Sequence, residues 1–242
     1  TDGGLCALNL YTLGMEEIED HTGRLFEVLQ MPVWAVTVDA DGKLWARAVN
    51  SIICIEFGSD GSVTAVSELT GLSHPTGMIA LRDVYGNGRI WALVNGAIAE
   101  LEARGNDGVI SADTVSECLR FVPDIVVSDM LLYGSEVWLA TDRGLCRYNP
   151  AEDIAKMYVH DEADTLSISQ NFVSTLAVSP DKRLLAGTLQ GFNVYNQIND
   201  NFERIRQQHP VEPGSINNNF INKIYVDGAR IWIGTEGCGI NR

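Results

Sequence analysis

The stretch Val137-Trp138-Leu139-Ala140-Thr141-Asp142-Arg143-Gly144-Leu145-Cys146 decides how the chain is read. An apolar residue and a tryptophan open a short run, a threonine stands three positions after the tryptophan, and a glycine six after it. Two short apolar runs separated by two polar residues read as a tight β-hairpin. The pattern returns along the chain. Leu44-Trp45, Ile90-Trp91 and Ile231-Trp232 are further anchors, and Leu184-Leu185 stands at the midpoint between Trp138 and Trp232. The five anchors are spaced 46, 47, 47 and 47 residues apart. Thr188 and Gly191 repeat the later part of the pattern, as does Thr235, and Thr1 and Gly4 match it at the start. In the first two anchored units Ala48 and Val94 replace the threonine.

Each period divides into four short strands. In the fullest, Phe172 to Val178 is a strand closed by Ser179-Pro180-Asp181; Arg183 to Thr188 and Gly191 to Tyr195 form a hairpin. A polar turn at Asn199-Asp200-Asn201 leads into Phe202 to Ile205. Asp39-Ala40-Asp41-Gly42 and Tyr85-Gly86-Asn87-Gly88 read as comparable turns, and Met15 to Glu19 reads as a loop. Four strands per 40 to 50 residues, repeated, point to an all-β fold, a β-propeller of four-stranded antiparallel blades. One such sheet cannot bury both faces alone, so stacking buries them, with the second-strand tryptophan as a flat filler between neighbours. Leu185 is the smaller filler, which predicts looser packing there.

The units run approximately 1–30, 31–75, 76–124, 125–169, 170–217 and 218–242, the first and last being partial. A third strand is read twice, in Gly4 to Leu8 and again in Gly239 to Arg242. This duplication predicts an excerpt of about five repeats from a longer array rather than a closed five-bladed ring, which would leave one strand spare.

Composition narrows the function. A formal net charge of −15 with 17 Lys plus Arg, none of them clustered, argues against a nucleic-acid partner. No apolar run approaches the length of a membrane span, so no direct membrane contact is expected of this segment. Five cysteines with no CxxC spacing argue against a zinc site or a disulfide framework. Cys6 and Cys146 share one register of the repeat, which makes them small core residues. There is no nucleophile elbow, phosphate loop or metal-ligand cluster, so neither a catalytic residue, a metal nor a cofactor is expected. His21, His74, His160 and His209 are scattered and read as loop structure. Asp39-Ala40-Asp41-Gly42 resembles the opening of a calcium loop but lacks the later acidic ligands.

If the chain binds a ligand, geometry nominates one face. In a propeller the second-to-third-strand hairpins emerge together, beside the loops that lead into the innermost strands. That face collects Arg47, Asn50, Asn95, Asp142, Arg143, Gln190 and Glu236. Their amide, carboxylate and guanidinium groups suit sugar hydroxyls, and they are equally suited to being solvated hairpin tips. Trp34 stands where other units carry Ser128, Ser174 and Asn222. It is read either as a ligand-stacking ring or as a plug of the central channel.

Asn219 to Gly228 followed by Ile231-Trp232-Ile233-Gly234-Thr235-Glu236-Gly237 resembles the two-component regulator propeller repeat. The connectors His209-Pro210 through Pro213-Gly214-Ser215-Ile216-Asn217 and His160-Asp161-Glu162 through Leu166-Ser167-Ile168 resemble it too. The resemblance implies the periplasmic sensor region of a Bacteroides-type hybrid two-component histidine kinase. It implies an oligosaccharide ligand, with further blades and an immunoglobulin-like domain as partners within a parent protein anchored in the inner membrane. An alternative from another class is a protein-interaction or homodimerising propeller with no small-molecule ligand of its own.

Overall fold

A computed structural model describes residues 7–8, 15–16, 19–20, 22–24, 32–48, 50–72, 82–104, 108–117, 119, 125–207 and 215–242. They form strands and turns with no helix. The chain divides into two compact units, Thr1–Asp124 and Ile125–Arg242.

In the first unit, β1 (Ala7–Leu8) and β2 (Met15–Glu16) pair antiparallel, so Met15 and Glu16 belong to a strand and not to the expected loop. Then come β3 (Val33–Val38), β4 (Leu44–Ala48), β5 (Ser51–Phe57) and β6 (Val63–Thr70). They are followed by β7 (Arg82–Asp83), β8 (Ile90–Val94), β9 (Ala97–Arg104) and β10 (Val109–Ser116). Each set of four is an antiparallel meander. The two meanders join through one parallel pairing between Val109 and Glu68 on their outermost strands, making a single eight-stranded sheet where two separate blades were expected.

The second unit holds three separate sheets. The first is β11 (Val127–Tyr133), β12 (Glu136–Thr141), β13 (Gly144–Asn149) and β14 (Ile154–Tyr158). The next is β15 (Val173–Val178), β16 (Leu184–Thr188), β17 (Gly191–Asn196) and β18 (Asn201–Ile205). The last is three-stranded: β19 (Ile221–Asp227), β20 (Arg230–Thr235) and β21 (Gly239–Asn241). All follow chain order. The fold is an all-β propeller architecture.

Burial explains the apolar runs. Val137 to Thr141 and Leu184 to Thr188 are buried at every position, because both faces of these second strands are covered. The outer strand β14 instead exposes Ile154 and Lys156. Three of the anchors, Trp45, Trp138 and Leu185, pack against the following meander or sheet as expected. Trp45 packs with Ile90, Ala92, Leu101 and Ile110 of the following meander. Trp138 packs with Leu184, Tyr195 and Phe202 of the next sheet, stacking on Tyr158 at 5.5 Å with 12° between planes. Leu185 lies among Ile221, Ile224 and Ile233, with Phe192 and Val194 beside it. It is as fully buried as Trp138, so the smaller anchor exposes nothing: bulky neighbours take up the volume.

The threonine and glycine of the repeat act together. The Thr141 hydroxyl donates to Gly144 O at 2.6 Å and accepts from Arg143 N at 3.1 Å. Thr188 does the same with Gly191 O and Gln190 N, at 3.0 and 3.1 Å. Thr235 donates to Gly239 O at 3.0 Å across a hairpin one residue longer, which moves its glycine to seven after the anchor. In each of the three sheets of the second unit the hydroxyl latches the hairpin that projects from one end.

Candidate functional site

In four of the innermost strands the register breaks at an equivalent place. Trp34 is skipped between the pairs of Val33 and Ala35, Ser128 between those of Val127 and Asp129, Ser174 between those of Val173 and Thr175, and Asn222 between those of Ile221 and Lys223. A β-bulge re-aims the extra residue and recurs beside functional sites. The positions singled out by sequence register are therefore the bulged ones. Ser174 donates its hydroxyl to Ile221 O of the next sheet at 2.5 Å, Asn222 Nδ2 donates to Glu236 Oε2 at 2.7 Å, and Ser128 Oγ has no partner. The Trp34 side chain lies outside the described residues.

In the second unit the residue after each bulge ties neighbouring sheets together. Asp129 Oδ2 accepts from Leu176 N at 3.0 Å, Thr175 Oγ1 at 3.1 Å and Lys223 Nζ at 2.9 Å. One sheet on, Thr175 Oγ1 accepts from Ile224 N at 3.4 Å. Equivalent residues thus meet across neighbouring sheets, which puts the hairpins bearing Asp142, Arg143, Gln190 and Glu236 at the same end of the second unit. Asp129 and Lys223 were missed by sequence reasoning. The signal was present in the register, since both directly follow a nominated position.

The nominated residues differ in availability. Arg143 is exposed, 3.6 Å from the Asp142 carboxylate, whose Oδ1 accepts from Val126 N at 3.0 Å. Glu236 and Gln190 are exposed. In the first unit Asn50 is exposed and Asn95 occupies a turn with φ of 50°. Arg47 departs from the expectation of a hairpin tip. It lies within β4, only 2 % exposed, donating to Ser51 O at 3.0 Å. Desolvation lowers its pKa, and it serves the inside of the sheet.

Other expectations also resolve into structure. His160 Nδ1 lies 2.8 Å from Ile168 O, and the connector is clamped by Arg204 through Ser167 O at 2.6 Å and Asp164 O at 2.7 Å. His21, His74, His209 and Cys6 lie outside the described residues. Asp39 spends both carboxylate oxygens on its own hairpin, accepting from Asp41 N, Lys43 N and Trp45 Nε1. Cys146 is buried, as its register implied. Among the described residues of the second unit a cavity of about 1000 Å³ runs along β18 and one of about 520 Å³ lies beside Trp138; neither is lined by Asp142, Arg143, Gln190 or Glu236.

Residues 215–237 match the family described as two component regulator propeller. The chain carries that repeat. Among solved structures the chain is similar to the extracellular domain of a one component system from B. thetaiotaomicron, at 21% identity and a TM-score of 0.73, over 99% of this chain and 30% of that one. It is also similar to the extracellular domain of a hybrid two component system from the same organism, at 19% identity and a TM-score of 0.66, over 98% of this chain and 30% of that one. The chain therefore spans about a third or less of those relatives. Virginiamycin B lyase from Staphylococcus aureus shares the fold at 14% identity and a TM-score of 0.56, over 97% of this chain and 85% of that one. No curated protein matches the chain.

Proposed function

We propose that this chain is a non-catalytic ligand-recognition segment of an extracytoplasmic sensor, with an oligosaccharide as ligand. The repeated bulge carries the reading. One backbone device presents a tryptophan, two serines and an asparagine in four strands, and such variation on a fixed scaffold suits recognition more than packing. In the second unit the face offers the Asn222–Glu236 pair and the exposed Arg143, a mixture of donors and acceptors that neutral hydroxyl groups can satisfy. The similarity to extracellular domains of one- and two-component systems supports the sensor role and a periplasmic setting.

Thermal-shift titration against a panel of oligosaccharides tests it. A specific ligand at a hundredfold excess over its dissociation constant stabilises by about 2.7 kcal/mol. That stabilisation is expected to disappear in Asn222→Ala and Glu236→Ala. Absence of stabilisation by every sugar, at millimolar concentration, overturns the reading.

A second reading is a protein-docking or dimerising propeller. Ile198 is 95% exposed and shares the cavity of about 1000 Å³ with the exposed Leu166. Equilibrium sedimentation of the chain and of Ile198→Asp separates the two: self-association abolished by the aspartate supports docking.

A further inference from the structure

The anchor tryptophans satisfy their indole nitrogens differently. Trp45 Nε1 donates to Asp39 Oδ2 at 2.7 Å, and Trp91 Nε1 to Glu100 Oε2 at 3.1 Å. Trp138 Nε1, on a side chain with 0% exposure, has no partner. Two departures from the repeat cause this. Asp39 belongs to the link between β3 and β4, but Tyr133 pairs directly with Glu136 across Gly134-Ser135, so no acceptor stands in that place. Glu100 is the cross-strand partner of Trp91; the corresponding partner of Trp138 is Arg147, which has no acceptor. Its guanidinium lies over the indole ring instead, at 5.9 Å.

The short hairpin also leaves space. The cavity of about 520 Å³ is bounded by Gly134, Glu136, Trp138, Arg147, Tyr195 and Asp200. It lies at the first-to-second and third-to-fourth strand hairpins, the end of the sheets opposite the bulges and the threonine latches. Its volume falls in the range of small-molecule sites. Arg147 Nε donates to Glu136 Oε2 at 2.6 Å, and Arg147 Nη1 stands 3.6 Å from Asp200 Oδ1. Tyr195 donates its hydroxyl to the same Asp200 oxygen at 2.5 Å.

These walls select against charge. An anion would have to compete with Glu136 and Asp200 for Arg147 and for the Lys156 ammonium on Asp200, and a cation would have to compete with those two groups for the carboxylates. A hydroxyl group meets neither obstacle: its oxygen accepts from an N–H while its hydrogen goes to a carboxylate. We propose that the cavity beside Trp138 binds a neutral polyhydroxyl ligand of mono- or disaccharide size, one oxygen of which accepts the Trp138 indole N–H. The inference is independent of recognition at the bulged strands, because the two places share no residue.

Proton–nitrogen correlation spectra of the full chain test it. The Trp138 indole signal is assigned by its loss in Trp138→Phe or, should that variant not fold, by its contact with the Tyr195 ring, whose centroid is 4.8 Å away. The probes are D-glucose, maltose and myo-inositol, with sodium acetate and tetramethylammonium chloride as charged counterparts. The expected result is a saturable movement of the Trp138 signal with at least one polyhydroxyl probe. At least tenfold weaker binding is expected in Glu136→Gln, and unchanged binding in Asn222→Ala. Movement with none of the neutral probes, movement with the charged probes alone, or a response indifferent to Glu136→Gln overturns the proposal.

Discussion

Lys223 Nζ lies 2.9 Å from Asp129 Oδ2, an ion pair between the innermost strands β11 and β19 that brackets β15 between them. The two ends are unequal. The Asp129 side chain is 6% exposed, while that of Lys223 is 63% exposed. Removing the lysine lets water reach the outer side of the carboxylate, so Lys223→Ala is expected to cost under about 1 kcal/mol. Removing the carboxylate strands the Leu176 amide, so Asp129→Ala is expected to cost about 3 kcal/mol. Urea denaturation of both variants checks the asymmetry; equal costs would contradict it.

The latch glycines make a graded prediction. Gly144 has φ of 134°, and a Cβ there would fall 2.5 Å from Tyr158 O. Gly191 has φ of 136°, but its nearest such contacts are 3.1 Å. Gly144→Ala is expected to destabilise by about 3 kcal/mol and Gly191→Ala by about half as much, since backbone strain is common to both while the severe clash is not. Thermal melts of the two variants decide the order.

Asp200 gathers Lys156, Tyr158 and Tyr195 on its carboxylate. Burial alone would raise its pKa; the hydrogen bonds from those three groups outweigh it and hold the carboxyl at about 2. Burial and the same carboxylate raise Tyr195. A depressed carboxyl stabilises the fold above the ordinary aspartate pKa, and that stability is lost as pH falls from about 4 to 2. A raised tyrosine stabilises below the ordinary phenol pKa, and its contribution is lost as pH climbs beyond about 10. Asp200→Asn should flatten the acid limb of a stability-against-pH curve; an unchanged acid limb would refute the assignment.

The reactivity of Cys54, Cys146 and Cys238 should separate by burial. Burial pushes the Cys54 thiol up to about 12, and Cys146 is buried too, whereas Cys238 is exposed. Iodoacetamide at pH 8, read by peptide mass spectrometry, is expected to modify Cys238 in the native protein and Cys54 and Cys146 only in denaturant.

The blade register was legible in the chain because the repeat imposes one spacing on anchor, threonine and glycine. Each of the three acts locally: the anchor fills between sheets, the threonine latches a hairpin, and the glycine permits positive φ. That spacing also led to Trp34, Ser128, Ser174 and Asn222, though not to the bulges that make those positions equivalent. Arg47 was misplaced because a polar residue near a hairpin looks the same in sequence whether it points out or folds back onto Ser51 O.

By itself, then, the sequence determined the four-stranded repeat, its register and the buried anchors, since these follow from hydrophobic period and turn chemistry between near neighbours. Only the tertiary structure decided that Asp129 is shared by residues 46, 47 and 94 positions away, and that two meanders fuse through Val109 and Glu68. It also decided that Trp138 lacks an acceptor which Trp45 and Trp91 possess. The first two depend on which segments far apart in the chain arrive side by side, and the third on where a hairpin closes and which side chain lies opposite the anchor; linear spacing encodes neither.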